Sequence, residues 1–292
     1  SSSSSSSSPV HVLVLGAAGV VGFGVCDAWL KEGATVIAVD QNQTDLTDLR
    51  RKLLSIDDDD NGRLMTVVGD LSSVESATTL KTTILTLLGS SGQHQLQLQH
   101  IVTTIGCSVP APTGGGLTSV DAVQRIKDSY DTVFYPNLIA TNVFLDLIRN
   151  VPGASFTVAG GPFTHHCPNK ELYNVSLMGA TFNHFGTILA AETKDTPCRG
   201  NTLCCHFSIG FPDDINNKES SSSSSFGPLL DEDFGPVSDT REWGKAFVRL
   251  ANGTERVGFI CMHDPEEVKV LVQSKEWMWF PDQHKFGPAP PL

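Results

Sequence analysis

PVHVLVLGAAGVVGFGVCDAWLKEGATVIAVD, Pro9 to Asp40, decides how the rest of the chain is read. Its first part, Pro9 to Gly16, is an unbroken apolar run that stops on glycine. Such a run is expected of a parallel strand buried on both faces. Val20 to Glu32 reads as a helix, and Gly33 as its C-terminal stop. Ala34 to Asp40 is a second buried strand, and it ends on an acid. Strand, glycine turn, helix and strand in this order make the first βαβ unit of a parallel sheet.

The same alternation continues outward from this unit. A polar helix is expected at Asp45 to Ser55, a strand at Leu64 to Asp70, a helix at Val74 to Leu88 and a strand at His100 to Gly106. A long helix follows from Val120 to Ile148, bent near Pro136. Beyond it come a strand at Ala154 to Gly161, a helix at Tyr173 to Thr193 and a strand at Thr202 to Gly210. A helix at Thr240 to Ala251 and a strand at Arg256 to His263 close the series. The pattern predicts a Rossmann-like, doubly wound α/β fold: a seven-stranded, mainly parallel sheet with helices on both faces. At 292 residues the chain suits one large core and is short for two. The reading is therefore a single domain over residues 9–273, with a low-complexity insert at 213–237. Residues 1–8 form a serine-rich lead, and 274–292 a tail containing Trp277, Trp279 and Phe280.

Composition narrows the function. A formal net charge of −12 with no basic stripe argues against a nucleic-acid partner and leaves a small-molecule ligand. No stretch offers the roughly 20 uninterrupted apolar residues of a membrane span. The seven cysteines are scattered, odd in number and without a CxxC pair, so no metal site is expected. They read as reduced, mostly buried thiols of a soluble protein inside the cell, cytoplasmic or organellar. The chain opens on Ser1 to Ser8 without an initiator Met, which reads as a piece of a longer precursor; what preceded it, a targeting segment or otherwise, is not legible in this sequence.

The chemistry starts in the glycine turn. Gly16, Gly19 and Gly22 are each three residues apart, with Gly24 beyond, between a buried strand and a helix. A tight turn of this kind exposes backbone N–H groups to a pyrophosphate at a helix N-terminus, where a side chain would block the approach. Asp40 ends the next strand, 24 residues after Gly16. A carboxylate there accepts hydrogen bonds from ribose hydroxyls and repels a 2′-phosphate, which favours NAD over NADP as cofactor. Arg50 and Arg51 argue in the other direction. A glycine turn without a ligand and a solvated strand-end acid remain the alternatives.

Together these residues resemble the short-chain dehydrogenase/reductase superfamily, over about Val10 to His263. The threefold glycine spacing is similar to that of its extended and atypical branches. Asp70 and Leu71 resemble the acid-plus-apolar pair that holds the adenine after the third strand. Thr103 to Gly106 stands where the family carries an Asn-Asn-Ala-Gly turn closing over the cofactor, so Gly106 is the position that matches. Asn137, within NLIATNVFLDLI, falls on the family's catalytic asparagine, in the middle of a long helix that in the family pairs two subunits. A homodimer is the expectation that follows.

The resemblance also locates a departure. Tyr173 opens a helix like the one that starts Tyr-x-x-x-Lys in the family, where the tyrosine hydroxyl carries the substrate proton and the lysine lowers its pKa. Here the fourth residue on is Leu177, and the serine position thirteen residues before the tyrosine is Gly160. An unassisted phenol titrates near pH 10, far from the optimum for a general acid-base at neutral pH. Positioned proton transfer is worth typically about 10²–10⁴-fold, so the usual relay is expected to be weakened. Thr157 and Thr164 lie near the serine position. His165 and His166 lie in the loop before Tyr173, and a histidine has a suitable pKa without tuning. Tyr173, Asn137 and His165 are therefore the candidate catalytic residues; Lys170, three residues before Tyr173, is a poor replacement for the lysine.

Three functions follow. The first is an NAD(H)-dependent oxidoreductase acting on a small carbonyl or alcohol with a non-standard proton relay. The second is a catalytically inactive dinucleotide sensor. The third is a structural subunit of a larger complex. The fold alone does not choose among them.

Overall fold

The computed structural model describes residues 10–54, 62–89, 97–106, 116–161, 173–205, 209–212, 238–254, 260–262, 264–274, 277–280 and 285–288. In chain order the strands are β1 (His11–Leu15), β2 (Thr35–Asp40), β3 (Leu64–Val68), β4 (His100–Thr103), β5 (Ser155–Ala159) and β6 (Arg199–Cys205). They continue with β7 (Ile209–Gly210), β8 (Ser238–Asp239), β9 (Ile260–Met262), β10 (Trp277–Phe280) and β11 (Lys285–Pro288). The helices are α1 (Val20–Lys31), α2 (Gln43–Leu53), α3 (Val74–Gly89), α4 (Ala122–Ser129) and α5 (Tyr135–Phe144). After them come α6 (Tyr173–Thr193), α7 (Thr240–Asn252) and α8 (Pro265–Gln273).

Seven strands form one sheet in the order β3-β2-β1-β4-β5-β6-β9, and every ladder in it is parallel. The apolar strands are buried as their composition requires: all five residues of β1 are buried. The core lies in two layers. One side of the sheet packs on α1, α2, α7 and α8, with Trp29, Trp243 and Phe247 at its centre. The other packs on α3, α5 and α6, around Phe144, Phe156 and Phe182. The strand order reverses direction between β1 and β4, and their C-terminal ends flank a crevice at that switch point. In open α/β sheets this is where ligands bind.

Four details differ from the sequence reading. The single bent helix expected at Val120 to Ile148 is a series: a 3₁₀ turn at Gly116–Thr118, α4, a π-helical turn at Tyr130–Phe134, α5, and a 3₁₀ turn at Leu145–Leu147. Pro136 has no N–H to give the carbonyl four residues back, so the ladder widens just before it. The last third of the expected strand at Thr202–Gly210 leaves the main sheet. Ile209–Gly210 pairs instead with Ser238–Asp239, forming a small parallel ladder at the two ends of the 213–237 insert. Helix α8 was not anticipated, although its signal is local: Asp264 accepts from the amides of Glu266 and Glu267, and Pro265 occupies the first turn. Within the tail, β10 and β11 form an antiparallel hairpin.

Candidate functional site

The turn between β1 and α1 is built by contacts that leave no room for side chains at two of its three glycines. Gly16 has φ +81°, and a Cβ on it would lie 3.0 Å from the Thr104 backbone. A Cβ on Gly22 would lie 2.2 Å from the Gly16 carbonyl oxygen, which would force α1 off the turn. Gly19 is different. Its backbone is extended, at φ −68° and ψ 167°, and a Cβ there would meet only the Gly16 carbonyl oxygen, at an ordinary 3.5 Å. The folded protein therefore does not itself need glycine at position 19. An anion approaching the helix N-terminus would.

That N-terminus lacks a side-chain cap. The amide of Phe23 is the first to find its helical partner, the Gly19 carbonyl, at 2.8 Å. The amides of Val20, Val21 and Gly22 have no intrahelical acceptor and carry the positive end of the helix dipole. Neighbouring strands hold the turn in place. The amides of Gly16 and Ala17 both donate to the Val39 carbonyl at 2.9 Å, and the amide of Ala18 donates to Asp40 Oδ2 at 3.1 Å. Asp40, at the end of β2, is thus tied to the glycine turn and half-buried beside it.

Thr104 was overlooked in the sequence. It sits just past β4, where the resemblance expected an asparagine. Its hydroxyl donates to the carbonyls of Leu15 at 3.1 Å and Gly16 at 2.9 Å, closing the turn from the β4 side. A hydroxyl at the end of a buried apolar strand was the available signal, because such a group must find a partner. Gly106 lies two residues on, exposed, with open space where a Cβ would go.

Asp70 and Leu71 follow β3. Leu71 is buried in the core, while Asp70 is exposed. Hydrogen bonds from Ser72, through its hydroxyl at 2.6 Å and its amide at 2.9 Å, hold the Asp70 carboxyl below the usual range. A shallow cleft of about 480 Å³ beside Asp70 is lined by Gly69, Ser73, Ser76 and Thr79.

Asn137 and Tyr173 stand on α5 and α6, which pack on the same side of the sheet. Asn137 is fully buried on α5. Its Nδ2 donates to Ile105 O at 2.8 Å and to Val133 O at 2.7 Å, so it ties the turn after β4 to the π-helical turn. Its Oδ1 is buried with no partner among the described residues. Tyr173, the first residue of α6, is 6% exposed, and its hydroxyl is likewise buried without a partner there. Both orphaned atoms would be costly in a purely structural role.

The departures from the family pattern have a physical basis. Leu177, one turn beyond Tyr173, is 42% exposed, an apolar side chain where the family has a cation. At Gly160 a Cβ would lie 2.1 Å from Cys204 Sγ, so the sulfur fills the space a side chain would use. Cys204 is fully buried, and that burial pushes its thiol pKa up and keeps it protonated. Thr157 does not replace the serine. It alternates with Phe156 and Val158, both packed towards α6, and is itself fully buried on the opposite face of the sheet. Thr164, His165, His166 and Lys170 lie outside the described residues. Among the described residues no cluster of His, Cys, Asp and Glu could hold a metal ion, and no helix is long and apolar enough to cross a membrane.

No family model and no curated protein matches the sequence. Solved structures match the fold. A short-chain dehydrogenase/reductase from Serratia marcescens superposes with TM-score 0.68 at 12% identity, over 87% of this chain and 96% of its own. A short chain oxidoreductase from Pseudomonas aeruginosa, described as containing an atypical catalytic center, gives 0.65 at 14% identity, over 87% and 95%. ElxO, solved with NADP bound, gives 0.67 at 16% identity, over 88% and 97%. The chain shares the fold of these structures over 87–88% of its length.

Proposed function

We propose that this chain is a member of the short-chain dehydrogenase/reductase superfamily: an oxidoreductase that binds a nicotinamide dinucleotide and acts on a small carbonyl or alcohol through a non-standard proton relay. The observation that carries this reading is the glycine turn. Gly19 has room for a side chain and carries none, directly over three helix amides without intrahelical acceptors. The amides of Val20, Val21 and Gly22 would hold the pyrophosphate. Asp70 and Leu71 would flank the adenine, and Gly106 would allow close approach over the ring system. Asp40 would accept from the ribose hydroxyls, which makes NAD(H) the preferred form. A bound nicotinamide supplies or accepts the hydride there.

The chain's own residues handle the proton. Tyr173 would supply the hydroxyl that carries the proton, and Asn137 braces the turn after β4 through Ile105 O. His165 is the candidate to relay the proton in place of the absent lysine. A homodimer would bury apolar side chains that are exposed on these helices, Tyr135 and Leu138 on α5 and Ile188 on α6. The acidic, cysteine-bearing chain is read as working inside the cell, cytoplasmic or organellar.

Leu177 and the blocked position at Gly160 favour a second reading, a dinucleotide sensor without turnover. One experiment separates them. Purified protein is titrated with NADH and NADPH, followed by energy transfer from tryptophan, and then assayed on a panel of carbonyls. Tighter NADH than NADPH binding is expected, with the discrimination lost in Asp40→Ala. Saturable turnover supports the enzyme, and tight binding without turnover supports the sensor. Failure to bind either dinucleotide overturns both.

A further inference from the structure

The first turn of α1 is held from behind by the first turn of α7. Thr240 opens α7 and is fully buried. Its hydroxyl donates to the carbonyl of Val20, the first residue of α1. Its own backbone closes on Gly24 so tightly that a Cβ on Gly24 would lie 2.0 Å from the Thr240 carbonyl oxygen. One turn further along α7, a Cβ on Gly244 would lie 2.0 Å from the Gly24 carbonyl oxygen. The two helices therefore meet backbone to backbone, which a side chain at either glycine would prevent.

The hydroxyl is not needed to satisfy Val20. In an α-helix the Val20 carbonyl already receives the amide four residues on, that of Gly24. Nor is it needed to fill space, which a valine would fill equally well. What the extra bond supplies is placement: it sets the height and rotation of the turn that carries the amides of Val20, Val21 and Gly22. We infer that Thr240 is a positioning residue for the anion site at the N-terminus of α1, aligning those amides for a pyrophosphate. This rests on the dinucleotide reading above. It extends that reading to a residue 220 positions away in sequence, on the helix that follows the 213–237 insert.

The test uses Thr240→Val, which removes the hydroxyl and keeps the shape, and Thr240→Ser, which restores it. Affinity is measured for NADH and, by competition, for adenosine, which has no pyrophosphate; thermal melts accompany both. Loss of one hydrogen bond's worth of alignment should weaken NADH about fivefold in Thr240→Val. Adenosine affinity and melting temperature should stay at wild-type values, and Thr240→Ser should recover NADH binding. Unchanged NADH affinity in Thr240→Val overturns the inference. So does equal weakening of both ligands with a lowered melting temperature, which marks a purely structural hydroxyl. Wild-type protein that binds no NADH overturns the dinucleotide reading itself, and this one with it.

Discussion

Tyr173 holds a buried hydroxyl that meets no partner among the described residues. Leaving such a group unpaired costs about 1–3 kcal/mol. Tyr173→Phe should therefore keep the protein's stability or raise it by about 1 kcal/mol, while lowering any turnover by roughly 10²–10⁴-fold. Thermal melts beside steady-state kinetics check this, and a marked drop in melting temperature would assign the hydroxyl to structure instead. Gly160 and Cys204 form a second local pair, with the sulfur standing where a Cβ would go. Gly160→Ser alone should cost about 1–3 kcal/mol through overpacking. In a Cys204→Ala background the same change should cost about 1 kcal/mol less, read as a coupling energy from urea melts. Additive costs would mean that the sulfur is not the obstacle.

Among the elements, α7 depends on one buried cation. Arg199, at the start of β6, is 6% exposed and donates to the carbonyls of Leu250, Ala251 and Gly253 at the C-terminus of α7, and to Gly153 before β5. The charge sits at the negative end of the helix dipole and satisfies the last carbonyls of α7. Arg199→Met should cost at least about 3 kcal/mol, because several buried acceptors lose their donor together. In a chain of this size that is a fall of roughly 6–12 °C in melting temperature, measurable by calorimetry. Helix α5 shows the converse, an element shaped by a missing donor. Pro136 opens the π-helical turn, and the Asn137 side chain then takes up the Val133 carbonyl.

For the molecule as a whole, one contribution to acid stability comes from the end of the sheet opposite the crevice. His100 stacks on Trp29, with ring centroids 4.9 Å apart, and its Nδ1 lies 2.9 Å from Ser155 Oγ. Burial, and then the nearby Arg199 charge, push its pKa from 6.5 down to about 4. The unfolded chain therefore takes up this proton before the folded one does. The contribution is fully present above pH 6.5 and is lost as the pH falls towards 4, amounting to about 3 kcal/mol. Denaturant midpoints measured between pH 7 and pH 4 should show that slope in the wild type and a shallower one in His100→Gln. Equal slopes would place the acid sensitivity elsewhere.

Much of this architecture is written locally. Buried parallel strands need unbroken apolar runs such as Val12–Leu15, and tight turns need glycine at φ +81°, so the β-α alternation, the glycine turn and the acid at Asp40 could all be read from neighbours in the chain. The Asp264 cap of α8 is equally local, an acid followed by proline at the helix start. Other features have no local signature, because their partners lie far apart in sequence. The Thr104 clamp spans about ninety positions, and Thr240 reaches α1 across 220. The exclusion of a side chain at Gly160 comes from a sulfur on another strand, and the burial of Thr157 away from the crevice comes from the sheet's alternation of faces. Short-range patterns settle backbone conformation, since that depends on adjacent atoms. Which polar atoms end up paired, blocked or orphaned is settled only when the layers close, because burial and contact are properties of the packed chain.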